Sequence, residues 1–222
     1  MTTEVSAPGP ILKRVATPMR PRRHILIIRH GQTEWSLSDQ HTSRTDIDLT
    51  EQGEADARAL RGIGDQSGLD HAYVIASPRR RAQRTAQLAG LHIDETGELF
   101  TEWDYGDYEG LTRKQIQADG DPRWMIWTHG ARGGESVADM TARVDHAVRH
   151  VDGVLAVRDV VIVSHGHFSR AFVCRFLGWP IAQGENIDLR PAGTALLLET
   201  DADRRLCELR GPVGQRPSST SI

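Results

Sequence analysis

Three short apolar runs, each broken off by a polar turn, constrain this chain more than any other feature in it. His24 to Ile28 (HILII), Ala72 to Ala76 (AYVIA) and Asp159 to Val163 (DVVIV) are continuous and rich in β-branched residues instead of alternating with polar ones. A continuous run of that length is a strand covered on both faces, which calls for a parallel sheet with helices above and below it. Helical patterns fill the gaps. Thr50 caps a predicted helix, TEQGEADARALRGI, with Ala55, Ala59, Leu60 and Ile63 at helical spacing. Ser77 and Pro78 start a second that runs to Gly90, with proline at the first helical position. The GGES stretch at 133–136 precedes a long amphipathic helix carrying Val137, Met140, Val144, Val148, Val151 and Leu155. Shorter helices are expected from Thr112 to Ala118 and from about His167 to Leu177, and TALLLET and RRLCELR read as a closing pair of strands. The predicted fold is α/β, a three-layer α/β/α sandwich around a mostly parallel sheet.

A chain of 222 residues is a little above one average domain, so one core is expected. Its predicted limits are 24–210. Before it, residues 1–23 hold four prolines and five Lys or Arg without amphipathic period, and read as a disordered arm. After it, residues 211–222 read as a flexible tail. A net charge of −3 calls for neither nucleic acid nor an anionic membrane as partner. No run approaches the roughly 18 apolar residues of a membrane span, and the first twenty residues lack the apolar core of a secretory signal, so a cytoplasmic location is expected. Cys174 and Cys207 suit neither a disulfide framework nor a metal cluster.

Ligands of open α/β sheets bind beyond the carboxyl ends of the strands, so the residues that follow each run carry the functional information. They are Arg29-His30-Gly31 after the first, Ser77-Pro78-Arg79-Arg80-Arg81 after the second, and Ser164-His165-Gly166-His167 after the third. Imidazoles and guanidiniums at one rim suit a phosphate. Guanidinium groups grip phosphoryl oxygens bidentately, and a neutral imidazole held between them can attack phosphorus. The loop ELFTEWDYGDYEGL at 98–111 supplies acids: Glu102 beside Trp103, which is expected to exclude water and raise the carboxyl's pKa, with Asp104, Asp107 and Glu109 as competitors for proton donation.

The ordered set LIIRHGQTEWS, SPRRRAQRTA, EWDYGDYEG, GGES and VSHGHFSR closely resembles the histidine phosphatase superfamily, also called phosphoglycerate mutase-like, from about residue 24 to 199. The resemblance implies a phosphorylated His30, a phosphate pocket completed by Arg29, Arg81 and His165, and Glu102 as proton donor. It also implies that Thr33, Ser36, Thr42 and Ser43 face substrate, and by the same likeness Tyr105, Arg113, Gly166 and His167 are substrate-binding candidates. The wording SPRRRA and SHGHFSRA is similar to bacterial acid phosphatases of the mycobacterial type and to fungal sedoheptulose-type bisphosphatases. Hydrolysis of small phosphorylated metabolites is therefore expected, with no cofactor, no metal and a possible homodimer. The alternatives are a phosphoglycerate mutase, a non-catalytic phosphate-binding module, and a metallohydrolase built on His30, His165, His167 and Glu102, against which the neighbouring arginines would repel a dication.

Overall fold

The computed structural model describes residues 22–69 and 71–212; the expected arm up to residue 21 and the expected tail from residue 213 lie outside the described residues. The first strand, β1 (Arg23–Arg29), begins one residue before the expected domain limit, because Arg23 already pairs with Glu199. Then follow α1 (Glu34–Leu37), α2 (Glu51–Ala59), α3 (Ile63–Gln66), β2 (Tyr73–Ala76), α4 (Arg80–Leu88) and a two-residue strand β3 (Glu95–Thr96). Next come α5 (Arg113–Asp119), α6 (Ile126–His129), α7 (Val137–Leu155), β4 (Val160–Ser164), α8 (Gly166–Phe176), β5 (Thr194–Glu199) and β6 (Arg204–Arg210). Single 3₁₀ turns at Glu98–Phe100 and Gly106–Tyr108 give the expected loop its shape, and a third spans Ile181–Asn186.

The six strands lie in the order β3-β2-β4-β1-β5-β6. The first four are mutually parallel, while β5 runs against β1 and β6 against β5. The continuous apolar runs are explained by the two cores they serve. Ile25, Ile27, Ile75, Val160 and Ile162 point to the face covered by α7 and α8, where Met140, Val144, Val151, Phe168 and Phe172 meet them. Leu26, Ile28, Val74, Ala76, Val161 and Val163 point the other way, onto Leu60, Ile63, Ala82 and Ala86. Within β1, β2 and β4 the apolar positions of each run are buried on one side or the other, so no polar alternation remains there.

Local signals held at three helix starts. Thr50 accepts the Gly53 N–H, and Thr112 and Ser136 each form reciprocal capping boxes, with Gln115 and Asp139. Two expectations need correction. In α2 the buried side is Gly53, Asp56 and Ala57, leading to Leu60, while Ala55 and Ala59 are exposed; a Cβ at Gly53 would collide with the Gln32 backbone, so this close approach sets the helix's rotation. And Ser77-Pro78 does not start a helix: α4 begins at Arg80 behind Arg79, because Ser77 is engaged elsewhere, in the site described next. Neither β3 nor α6 was expected; two and four residues are too short for periodicity to register.

Candidate active site

Strand register builds the site. Arg29 pairs with Ser164 across β1 and β4, and Ala76 with Val163 across β2 and β4, so the chain leaves three adjacent strands at one level. The His30 N–H donates to the Ser164 carbonyl at 2.8 Å and the Ser77 N–H to the Val163 carbonyl at 3.0 Å. His30, His165 and Ser77 therefore stand in a row, with the two imidazole centroids 5.2 Å apart. From the neighbouring helix, Thr85 Oγ1 accepts the Gly31 N–H at 2.9 Å and donates to the Arg81 carbonyl at 2.7 Å, tying α4 to the turn that carries His30.

His30 is 5% exposed. Its Nδ1 lies 2.7 Å from the Gly31 carbonyl, and a carbonyl only accepts, so the proton sits on Nδ1 and Nε2 keeps its lone pair. Burial first, then the Arg81 and Arg29 guanidiniums, hold its pKa well below the ordinary imidazole value, which keeps it neutral at pH 7. His165 is fully buried and shifted the same way, by burial and then by Arg81 and His30. Ser77 Oγ is 2.7 Å from His165 Nε2 and accepts the Arg79 N–H at 3.3 Å. Arg29 donates from Nη1 to the Leu189 carbonyl at 2.8 Å and lies against Gly166, where a Cβ would come within 3.1 Å of its Cζ.

Arg81 is fully buried and spends its terminal nitrogens on the main chain, Nη1 on the Thr45 carbonyl and Nη2 on those of Thr42 and Ser43. It thus shapes the loop after the nucleophile turn while keeping Nε unpaired. Arg29 Nε, Arg81 Nε and His165 Nδ1 are all buried without a hydrogen-bond partner. Unsatisfied buried polar atoms are costly, on the order of 1–3 kcal/mol each, so three on residues that neighbour His30 suit a ligand that brings oxygens.

Glu102, 7% exposed, accepts three backbone N–H groups: Trp103 and Phe168 on Oε1, at 2.9 and 2.7 Å, and His167 on Oε2 at 3.0 Å. The expected shield is not its indole neighbour, since Trp103 turns into the core, donating to the Glu135 carbonyl and packing edge-on to Trp127. The competing acids are all committed. Asp104 pairs with Arg44, Asp107 with Arg132, and Glu109 accepts from Ser43 and Thr45.

One cavity of about 210 Å³ gathers Arg29, His30, Thr33, Ser36, Thr42, Glu102, Tyr105, Gly166 and His167, as expected of a common site. Tyr105, whose hydroxyl burial keeps protonated, is hydrogen-bonded to His167 Nδ1 at 2.6 Å. Four candidates are not part of its lining: Arg81 and His165, both fully buried, and two substrate-binding candidates, Ser43 and Arg113. Ser43 turns its hydroxyl to Glu109 and accepts the Tyr105 N–H, bracing the wall from behind. Arg113, exposed on the first turn of α5, borders an adjoining cavity of about 250 Å³ instead. Among the described residues no group of three or more His, Cys, Asp or Glu is arranged to hold a metal ion. Asp39, Gln40, His41 and Arg170 line the cavity unannounced. Of these only Arg170 carried a sequence signal, lying four residues after Gly166 and so on the same face of α8.

The family model of the histidine phosphatase superfamily, branch 1, matches residues 25–211. An acid phosphatase of Mycobacterium tuberculosis is 44% identical over 179 residues, 80% of this chain and 88% of the relative. A 2,3-bisphosphoglycerate-dependent phosphoglycerate mutase of Methylobacterium radiotolerans is 35% identical over 199 residues, 82% of this chain and 91% of the mutase. Among solved structures, that of a Mycobacterium tuberculosis open reading frame superposes with a TM-score of 0.82 at 41% identity, covering 86% of this chain and 98% of the other. Among the described residues no helix is long and apolar enough to cross a membrane.

Proposed function

The chain belongs to the histidine phosphatase superfamily, and on that premise we propose that it is a metal-independent phosphomonoesterase acting on small phosphorylated metabolites through a phosphohistidine. The observation that carries this reading is the neutral His30 imidazole with a free Nε2, next to Arg29, Arg81 and His165, each of which keeps one buried nitrogen unpaired. In the first step Nε2 attacks phosphorus, the bond from phosphorus to the ester oxygen breaks, and Glu102 gives its proton to the departing oxygen. In the second, Glu102 takes a proton from water as the water oxygen attacks phosphorus and the bond to Nε2 breaks, releasing inorganic phosphate. The arginines and His165 stabilise the charge that builds on the phosphoryl oxygens, the task a divalent ion performs in other phosphatases. Identity of 44% to an acid phosphatase supports hydrolysis.

Rapid quenching with ³²P-labelled substrate in excess EDTA tests the reading. The wild type should yield an acid-labile labelled protein and His30→Ala none. Label retained in His30→Ala, or activity lost to EDTA and restored by a divalent metal, would defeat it. The 35% identity to a mutase keeps one rival in play. With 3-phosphoglycerate and a trace of 2,3-bisphosphoglycerate, a hydrolase releases phosphate or does nothing, whereas isomer interconversion faster than phosphate release identifies a mutase.

A further inference from the structure

His30 and His165 follow the adjacent strands β1 and β4, yet a different ring nitrogen is tied off in each. In His30 it is Nδ1, 2.7 Å from the Gly31 carbonyl, which leaves Nε2 free. In His165 it is Nε2, 2.7 Å from Ser77 Oγ, while Nδ1 is buried with no hydrogen-bond partner. Ser77 and His165 are both fully buried.

Ser77 meets His165 through strand register and through the proline that follows it. Ala76 pairs with Val163 and the Ser77 N–H donates to the Val163 carbonyl, which sets Ser77 beside the residues that end β4. Pro78 has no N–H to offer, and the Ser77 hydroxyl oxygen accepts the Arg79 N–H at 3.3 Å. A hydroxyl carries a single proton. Among the described residues the other group hydrogen-bonded to Ser77 Oγ is His165 Nε2. Donation to Nε2 therefore satisfies the hydroxyl, whereas the opposite arrangement strands its proton in a buried site.

Donation to Nε2 puts the ring proton on Nδ1, and the start of α8 agrees. His165 occupies the N-cap position of that helix but makes no side-chain cap. The His167 and Phe168 N–H groups, which a capping acceptor would take, go to the Glu102 carboxylate instead. A bare Nδ1 would have no donor there. An Nδ1–H suits an acceptor brought by a ligand, and the charges of Arg81 and Arg29, which act on this ring, favour an anion beside it.

Resting on the phosphomonoesterase reading, we infer that Ser77 is a positioning residue whose hydroxyl holds His165 in the Nδ1–H tautomer, so that this imidazole donates to a phosphoryl oxygen. His30, with its proton also on Nδ1, presents a bare Nε2 to phosphorus. One tautomer thus serves two tasks, because the opposite nitrogen is occupied in each ring.

The test is ¹⁵N NMR of the histidine rings in the full chain, with His165 assigned through its backbone. At neutral pH the wild type should show a protonated Nδ1 and a bare Nε2 on His165, and saturation with inorganic phosphate should move the Nδ1 resonance. Ser77→Ala should populate the Nε2–H form and weaken phosphate binding at least about threefold, because only the remaining Nδ1–H fraction is competent. A bare Nδ1 or a doubly protonated ring in the wild type overturns the inference, as does an Nδ1 resonance that phosphate leaves in place. So does a folded Ser77→Ala protein with the tautomer or the phosphate affinity of the wild type. The wild-type spectra need no variant, so poor folding of Ser77→Ala leaves the test standing. Phosphohistidine trapping at His30 beside a bare His165 Nδ1 sinks this inference alone; absence of trapping sinks the reading on which it rests.

Discussion

Glu102 is placed by its acceptors' partners, not by its own charge neighbours. Three N–H groups, two from the first turn of α8, aim both carboxyl oxygens and leave the side chain in the cavity wall beside His30. A carboxyl held that firmly is suited to delivering a proton along one direction. Glu102→Gln keeps the shape and removes the proton. Hydrolysis of alkyl phosphates should fall by about 10² to 10⁴, and that of p-nitrophenyl phosphate, whose leaving group departs unprotonated, by much less. Steady-state rates on the two substrates decide the matter; equal losses on both would mean that Glu102 acts as an anchor for α8 and another group supplies the proton.

Helix α2 and helix α7 make contrasting demands on the site. The first touches it: a Cβ on Gly53 would strike the backbone of Gln32, two residues after His30, and one on Gly31 would strike the Gly53 carbonyl. The second meets it further along, where Arg143 donates to the Glu102 carbonyl at 3.2 Å, while its start rests on the Ser136–Asp139 capping box, with the Ser136 hydroxyl accepting the Asp139 N–H at 3.1 Å. Ser136→Ala should therefore cost about 1 kcal/mol in denaturant unfolding with kcat unchanged. Gly53→Ala should cost about 1–3 kcal/mol by overpacking and also lower kcat in the fully folded protein, by as much as roughly 10²-fold if His30 shifts by about 1 Å. Equal kcat in the two variants would show that the His30 turn is held from β1 and α4 alone.

Across the whole molecule, four histidines share one end of the sheet, and burial is the first cause of a lowered pKa in each of His30, His41, His165 and His167. All four are neutral in the folded chain at pH values where the unfolded chain, with a reference pKa of about 6.5, binds protons. Unfolding therefore takes up protons as the pH drops below that value, so stability is present above about pH 6.5 and is lost as the pH falls through it. Urea unfolding between pH 7.5 and 5.0 should show a falling free energy whose slope corresponds to uptake of more than one proton. A flat profile would mean that these rings are already charged when folded. The exposed carboxylates with lowered pKa, such as Asp121 and Asp203, act only at more acid pH and do not confuse the window.

By itself the sequence determined whatever depends on neighbours along the chain. Continuous apolar runs marked the doubly covered strands, the Thr50 cap and the apolar periods after Thr112 and the GGES stretch marked helix starts, and the strand-end residues His30 and His165 announced the chemistry. What it left open depends on contacts between distant segments. The order β2-β4-β1 places Ser77, His165 and His30 side by side, and so turns an expected helix start into a partner of His165. The return of residues 104–110 sets Glu109 behind Ser43 and turns that hydroxyl away from the cavity. Spacing set Arg170 on the same face of α8 as Gly166, but only the folded chain brings Trp127 of α6 beneath its guanidinium. Periodicity reports which side of an element is buried; which other element it meets, and hence which side chains face one another across a site, is decided by long-range packing.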